Sequence, residues 1–280
     1  MPTMPAAMTD TYAVIGHPIE HSRSPDIHAL FAAQTGQDMH YERRSAPVDG
    51  FAASIRAFFA AGGAGLNVTL PFKQEAFERA DTLSERAKRA SAVNTLMARG
   101  DEIHGDNTDG AGLVADLTGR LGTDLAGTHV LILGAGGAVR GVVPNLFAAG
   151  VARITVANRT RGKSRAIAES CHGMGPIAAC GLAEAPFDAD LVINAISAGL
   201  AGEMPALDDR VLTRARTVYD MIYADTITPF LCWARDRGVA GEDGFGMLVE
   251  QAAESFVLWR GIRPDTQAVI AALGGPQPLQ

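Results

Sequence analysis

Three groups of residues in this 280-residue chain have types and spacings suited to hydride and proton transfer. The first is a glycine turn. An apolar run, Val130-Leu131-Ile132-Leu133, breaks into Gly134-Ala135-Gly136-Gly137-Ala138 and resumes as helix-compatible sequence. A buried strand that turns through glycines into a helix brings backbone N–H groups up to a phosphate. Val139 stands where the third glycine or alanine of G-x-G-x-x-G belongs, so alone the turn also reads as an ordinary strand-to-helix connection. The second group separates these readings. The next strand ends at Asn158-Arg159-Thr160, with Arg161 and Lys163 just beyond. A carboxylate there would grip a ribose 2′-hydroxyl, whereas cations suit a 2′-phosphate, so the expected cofactor is NADP rather than NAD.

The third group is Lys73 and Asp109. Interconverting a carbonyl and an alcohol needs a group that gives the oxygen a proton and takes it back. Pro71 is predicted to open a helix with Lys73 in its first turn, where the helix dipole disfavours a cation and favours a lysine that can release its proton. By position alone Lys73 also reads as an exposed lysine whose stem covers Phe72 or Phe77. Asp109 reads either as an N-cap or as the carboxylate that orients the ammonium. Ser22, Asn67, Thr69 and Asn94 fall at strand ends or in loops, where parallel sheets hold ligands, although singly each is also an ordinary turn or cap residue. His17, His21 and His28 lack a helical metal-ligand spacing and read as structural or exposed; no metal is expected.

Strands and helices alternate around these residues. A strand over 11–16 precedes a helix with Ser24 as N-cap and Pro25 at its first position, closed by Gly36. A strand over 39–45 and a helix striped by Phe51, Ile55, Phe58 and Phe59 follow. The stretch 65–70 alternates apolar and polar residues as a strand does, and a short helix begins at 83–87. Strands over 93–97 and 103–108 are expected to pair antiparallel across Arg99-Gly100-Asp101. A helix from Asp109 through Leu113, Leu117 and Leu121 is expected to cross into a second domain. There the strands are 129–133, 153–157, 191–195 and 217–221, with 178–180 a weaker one. The helix 247–260, apolar on most sides and ended by Gly261, is expected between the domains. The fold class is α/β with two domains. A mostly parallel α/β domain is expected first and a Rossmann-like NADP-binding domain second.

A net charge of −7 argues against nucleic acid or an anionic membrane as the main partner and leaves small anions possible. Cys171, Cys180 and Cys232 form no C-x-x-C pair and fit reduced thiols. The first ten residues lack the basic and apolar regions of a signal peptide, and no apolar run reaches membrane-span length, so a cytoplasmic protein is expected. Its partner is a small-molecule substrate, and a homodimer is compatible with the sequence.

From about Tyr12 to Pro264 the chain resembles the shikimate dehydrogenases of the monofunctional bacterial type. The resemblance rests on a series in one order: His21-Ser22-Arg23-Ser24-Pro25, Asn67-Val68-Thr69-Leu70-Pro71-Phe72-Lys73, Ala92-Val93-Asn94-Thr95-Leu96 and Asp106-Asn107-Thr108-Asp109-Gly110. The glycine turn, Asn158-Arg159-Thr160, Tyr219-Asp220-Met221-Ile222-Tyr223, Thr228-Pro229-Phe230-Leu231 and Gly246-Met247-Leu248-Val249-Glu250-Gln251-Ala252-Ala253 complete it. It implies reversible NADPH-dependent reduction of 3-dehydroshikimate to shikimate in aromatic amino-acid biosynthesis, with Lys73 and Asp109 as the catalytic pair. It assigns Ser22, Ser24, Asn67, Thr69, Asn94, Asp109, Tyr223 and Gln251 to the substrate, the two serine hydroxyls meeting its carboxylate. Glu85, Gly134, Ala135, Gly136, Gly137, Ala138, Asn158, Arg159, Thr160, Lys163, Met221 and Gly244 go to the cofactor. The resemblance also implies the domain bounds, 1–109 with 246–280 for the substrate domain and 110–245 for the cofactor domain. The chain departs from the family pattern at Ile196 (usually threonine), Asp225 (often proline) and Ser91 (often glycine), none of them a proposed catalytic group. A quinate/shikimate dehydrogenase shares the scaffold, but Asn158-Arg159 and Ser24 argue against it. A non-catalytic NADP-binding regulator would be marked by loss of Lys73 or Asp109, and both are present.

Overall fold

Two six-stranded sheets, each flanked by helices, form the protein in the computed structural model, which describes residues 9–196, 204, 206–224 and 226–274. The first sheet contains β1 (Asp10–Gly16), β2 (Met39–Ser45), β3 (Gly65–Val68), β4 (Thr82–Leu83), β5 (Thr95–Arg99) and β6 (Glu102–Asp106), in the order β2-β1-β3-β5-β6-β4. Only β5 runs against its neighbours, antiparallel to β3 and β6, while β1/β2, β1/β3 and β4/β6 are parallel. The sheet is therefore mixed, with one reversed strand. All four residues of β3 are buried, so its alternating sequence marks two covered faces rather than one wet and one dry.

Helices α1 (Ser24–Thr35), α2 (Phe51–Ala60), α3 (Lys73–Arg79) and α4 (Glu85–Ala90) accompany this sheet. Their starts differ from expectation. Ser24 is the first residue of α1 rather than its cap; Arg23 holds the cap position and makes no side-chain cap bond. Pro71 precedes α3 in a turn closed by the Phe72 N–H on the Thr69 carbonyl at 3.0 Å, which makes Lys73 the first helical residue. The strand expected from 93 starts at Thr95, so Asn94 stands just ahead of it.

The second sheet is wholly parallel: β7 (His129–Leu133), β8 (Arg153–Ala157), β9 (Ile177–Cys180), β10 (Leu191–Asn194), β11 (Thr217–Asp220) and β12 (Gly241–Glu242). Its order, β12-β11-β10-β7-β8-β9, steps outward from β7 in both directions, which leaves a switch point beside the C-terminal end of β7.

Two helices join the units. Helix α5 (Asp109–Ala115) continues into a π turn, Asp116–Arg120. After α6 (Gly137–Ala148), α7 (Arg161–Ser170) and α8 (Pro229–Arg235), helix α9 (Phe245–Arg260) returns, beginning two residues earlier than expected. The backbones of α5 and α9 pass so closely that a Cβ on Gly112 would lie 2.6 Å from the Gln251 nitrogen, so only glycine fits there. Leu113 and Leu117 enter the second sheet's core with Val130 and Ile132. Met247 joins that core, whereas Val249, Ala252 and Phe256 of the same helix pack with Ile27 and Phe31 of α1. Helix α9 is apolar on most sides because it serves both cores.

A last helix, α10 (Thr266–Leu273), was not expected; it is short, rich in alanine, and capped by the Asp265 carboxylate accepting from the Ala268 N–H at 3.2 Å. No helix among the described residues is long and apolar enough to cross a membrane, and the three cysteines are unpaired.

Candidate active site

A cleft of about 300 Å³ is lined by Ser22, Ser24, Asn67, Thr69, Lys73, Asn94 and Asp109 from the first unit and its α5 junction. Met221, Tyr223 and Gly244 line it from the second unit, and Gln251 from α9. At its charged centre the Lys73 Nζ lies 2.6 Å from Asp109 Oδ2. The lysine side chain keeps 22% of its surface exposed and the aspartate only 6%, so the ammonium reaches the cleft while the carboxylate backs it. Asp109 is the first residue of α5, not its cap; Thr108 occupies the cap position.

The other carboxylate oxygen, Oδ1, accepts from Asn94 Nδ2 at 2.8 Å. The sense of that amide is fixed, because the Thr108 backbone N–H can only donate and does so to Asn94 Oδ1 at 2.9 Å. Asn94 therefore presents its NH₂ to the carboxylate. Helix α3 is tied to the same place by the Val93 N–H donating to the Lys73 carbonyl at 2.8 Å. Asp109, Asn94 and Lys73 come from three segments of the chain, and these bonds hold them in one geometry.

Ser22 and Ser24 place their hydroxyls 3.2 Å apart where the loop enters α1. The arginines around them are engaged with backbone carbonyls. Arg43 Nε donates to the Ser22 carbonyl at 2.7 Å; Arg23 donates to the Leu273 carbonyl at 2.8 Å and lies over the Phe245 ring. Asn67 is almost fully enclosed by partners: the Tyr41 hydroxyl donates to its Oδ1 at 2.8 Å, and its Nδ2 donates to Ser255 Oγ at 2.9 Å. The Gln251 amide donates to the Leu248 carbonyl at 2.8 Å and accepts from Asn94 Nδ2 at 3.2 Å. Tyr223 meets Phe245 edge-on.

The glycine turn joins β7 to α6. Gly134 has φ +109°, and a Cβ on it would approach the Ala195 carbonyl oxygen to 2.8 Å, so its side-chain-free backbone is a packing requirement. Gly136 and Gly137 differ: a Cβ on either would meet nothing within 4 Å. They bracket the N-terminus of the twelve-residue α6 and face open space, as a phosphate cradle would. Ala135 and Ala138 flank them. Val139 is fully buried in the second core, which explains a valine at the third pattern position.

Beyond β8, Asn158 Nδ2 donates to the Thr160 carbonyl at 2.9 Å and closes the turn. The cations there are not equivalent. Arg161 pairs with Glu184 at 3.0 Å, whereas Arg159 and Lys163 are exposed and have no acidic partner among the described residues. An open helix N-terminus beside two unpaired cations fits an adenine dinucleotide with a 2′-phosphate. Gly244 abuts the Met221 carbonyl, where a Cβ would come within 2.5 Å, and so keeps the two cleft-lining segments together.

Glu85 does not line the cleft. It is exposed on α4, and its carboxylate accepts from Lys88 at 2.8 Å along the same helix, which accounts for an acidic residue in a first turn. Ile196 is half-buried and donates its N–H to Asn194 Oδ1 at 3.2 Å. Asp225 lies outside the described residues. Ser91 ends α4 with φ +49°, which explains why glycine is common at that position. Among the described residues no cluster of three or more His, Cys, Asp or Glu could hold a metal.

Several lining residues were given no site role from sequence: Ile19, Met247 and Leu248, and His21, which reads there as structural or exposed. Met247, Gln251 and Ser255 follow one another at four-residue spacing on α9, a signal present in the sequence but hidden by the helix's apolar surroundings. His21 sits on an irregular loop with no periodicity to reveal it.

Three family descriptions match the chain: the shikimate dehydrogenase substrate binding domain over residues 14–96, shikimate / quinate 5-dehydrogenase over 116–215, and the shikimate 5'-dehydrogenase C-terminal domain over 244–273. The shikimate dehydrogenase (NADP(+)) of Alkalilimnicola ehrlichii is 54% identical over 267 residues, covering 95% of this chain and 99% of the relative. Among solved structures, an Ael1 enzyme from Pseudomonas putida superposes with a TM-score of 0.89 at 44% identity, covering 95% of this chain and 99% of the other. Shikimate 5-dehydrogenase from Thermus thermophilus, in complex with NADP(H) and shikimate, gives 0.83 at 32% identity, covering 94% and 98%. With 54% identity over 95% of its length and family matches in both units, the chain belongs to the family of NADP-dependent shikimate dehydrogenases.

Proposed function

We propose that this chain interconverts 3-dehydroshikimate and shikimate with NADP(H), a step of aromatic amino-acid biosynthesis, with Lys73 as the acid/base and Asp109 as its partner. The observation that carries the reading is the Lys73–Asp109–Asn94 chain, placed in one cleft with Met221 and Gly244 of the cofactor-side unit. When bound, NADPH supplies the hydride. Lys73 Nζ gives a proton to the carbonyl oxygen in reduction and takes it from the hydroxyl in oxidation. Asp109 holds the ammonium aimed into the cleft, and Asn94 prevents the carboxylate from rotating away. The paired hydroxyls of Ser22 and Ser24 donate to the substrate carboxylate, while Asn67, Thr69, Tyr223 and Gln251 contact its ring substituents. On the cofactor side the α6 N-terminus at Gly136 and Gly137 receives the pyrophosphate, and Arg159 and Lys163 receive the 2′-phosphate. This divides the labour between residues 1–109 with 246–280, which hold the substrate, and 110–245, which hold the cofactor.

The test is an initial-rate comparison of shikimate and quinate, each with NADP and NAD, followed through reduced-nicotinamide absorbance. Shikimate with NADP should be the preferred pair. Lys73→Ala should lower kcat by about 10²–10⁴-fold, the usual contribution of a positioned acid/base, with NADP binding retained. Near-normal turnover in that variant would refute the role of Lys73, and a preference for quinate with NAD would refute the substrate reading.

A further inference from the structure

Ser255 does not line the cleft, yet it is fully buried one helical turn after Gln251, directly behind Asn67. Its hydroxyl donates to the Gln251 carbonyl at 3.1 Å, a group that can only accept. Thr95 Oγ1 lies 2.8 Å away and can give or take a proton, its own proton also having Asn94 Oδ1 within 2.9 Å; in either case the Ser255 proton has an acceptor other than Asn67, and its oxygen accepts from Asn67 Nδ2 at 2.9 Å. That bond and the Asn94 backbone carbonyl, which can only accept, together set the sense of the Asn67 amide, turning Oδ1 toward the Tyr41 hydroxyl 2.8 Å away. Tyr41 cannot choose the sense alone, because a phenol both donates and accepts. The remaining acceptors for Nδ2, the Asn94 carbonyl and Thr95 Oγ1, are both at 3.3 Å. Ser255 supplies the shortest bond to Nδ2.

We infer that Ser255 is a positioning residue for substrate binding: through one hydroxyl, α9 fixes the Asn67 amide in register with Gln251. The inference rests on the reading of the cleft as a shikimate site, and it separates from that reading experimentally. Wild-type protein that fails to oxidise shikimate with NADP refutes the site assignment itself. Given an active wild type, Ser255→Ala should raise the KM for shikimate about tenfold, the scale of one buried hydrogen bond, and leave the KM for NADP unchanged. Ser255→Cys keeps the side chain's bulk but replaces the hydroxyl with a weak acceptor, and should show the same split without opening a void. In an Asn67→Ala background, Ser255→Ala should have no further effect on the shikimate KM, because the group it acts through is gone. The inference is overturned if Ser255→Ala leaves the shikimate KM unaltered, raises both KM values together, or multiplies the Asn67→Ala effect.

Discussion

Replacing His28 with phenylalanine should remove a pH dependence that the protein carries in the core beneath the cleft. His28 is fully buried on α1, stacked on Tyr41 with ring centroids 4.1 Å apart, and surrounded by Phe31, Phe256 and Trp259. Neither ring nitrogen has a hydrogen-bond partner. Burial, only partly offset by the nearby Asn67 amide, pushes its pKa from 6.5 down to about 3. Because the folded pKa is the lower one, the folded state binds fewer protons than the unfolded state between these values. The contribution to stability is complete above pH 6.5 and is lost as pH falls toward 3. At about pH 4.5, two units below the unfolded value, the loss is ~2.7 kcal/mol. Phenylalanine keeps a ring against Tyr41 and has nothing to protonate.

The assay is urea unfolding of the wild-type and His28→Phe proteins at neutral and acidic pH. Trp259, whose ring lies 5.4 Å from His28, is the local reporter, and a Trp233→Phe background removes the other tryptophan. Acidification from neutrality to about pH 4.5 should widen the stability difference by ~2–3 kcal/mol in favour of phenylalanine, or about 1 M in urea midpoint. His104 and His129, both lowered by burial, titrate alike in the two proteins and cancel. Equal pH slopes for the two proteins would refute the account of His28 as a neutral core residue.

Two further substitutions test the cofactor loop and the turn at Ser91. Arg159→Ala should raise the KM for NADP by about 10–100-fold, the range of a lost charge-assisted phosphate contact, and leave that for NAD nearly unchanged. Equal effects on both cofactors would contradict a 2′-phosphate role. Ser91 is the one non-glycine with positive φ among the described residues, at +49°. Ser91→Gly relieves about 1–2 kcal/mol of left-handed strain and gives back about 0.4–1 kcal/mol as unfolded-chain entropy, for a net gain of about 0.8 kcal/mol. Thermal unfolding should shift upward by roughly 1–2 °C, and a downward shift would show that the serine side chain compensates its own strain.

Local patterns carry most of the fold. Apolar strands such as β7, helix ends such as Gly36 and Gly261 with φ +63° and +71°, and the Gly100 hairpin all follow from short-range chemistry. The misplacements share a cause. Pro71 and Ser24 look like helix-start residues, yet the chain continues its turn past Pro71, and Ser24 turns its hydroxyl toward Ser22. Two-residue β4 and β12 are too short to show a period.

The polar site shows a sharper limit, set by sequence separation. Each side chain in it has a bland local reading: a first-turn lysine, a cap-like aspartate, a strand-end asparagine, a helix-interior serine. Lys73 and Asp109 are 36 residues apart, Asn67 and Ser255 are 188, and no local rule links such pairs. Charge-assisted and buried hydrogen bonds between them are nonetheless what give each group its orientation, because a donor that can only donate leaves its neighbour one sense. Glu85 shows the opposite case, a carboxylate with a local partner. Its partner, Lys88, is three residues away on the same exposed helix, so its acidic character is accounted for before any ligand is considered. Residues whose partners arrive from a distant element are strong site candidates. By that criterion Ser255 belongs with Asn94 and Asp109 rather than with the caps, since its partner Asn67 reaches it from the first sheet.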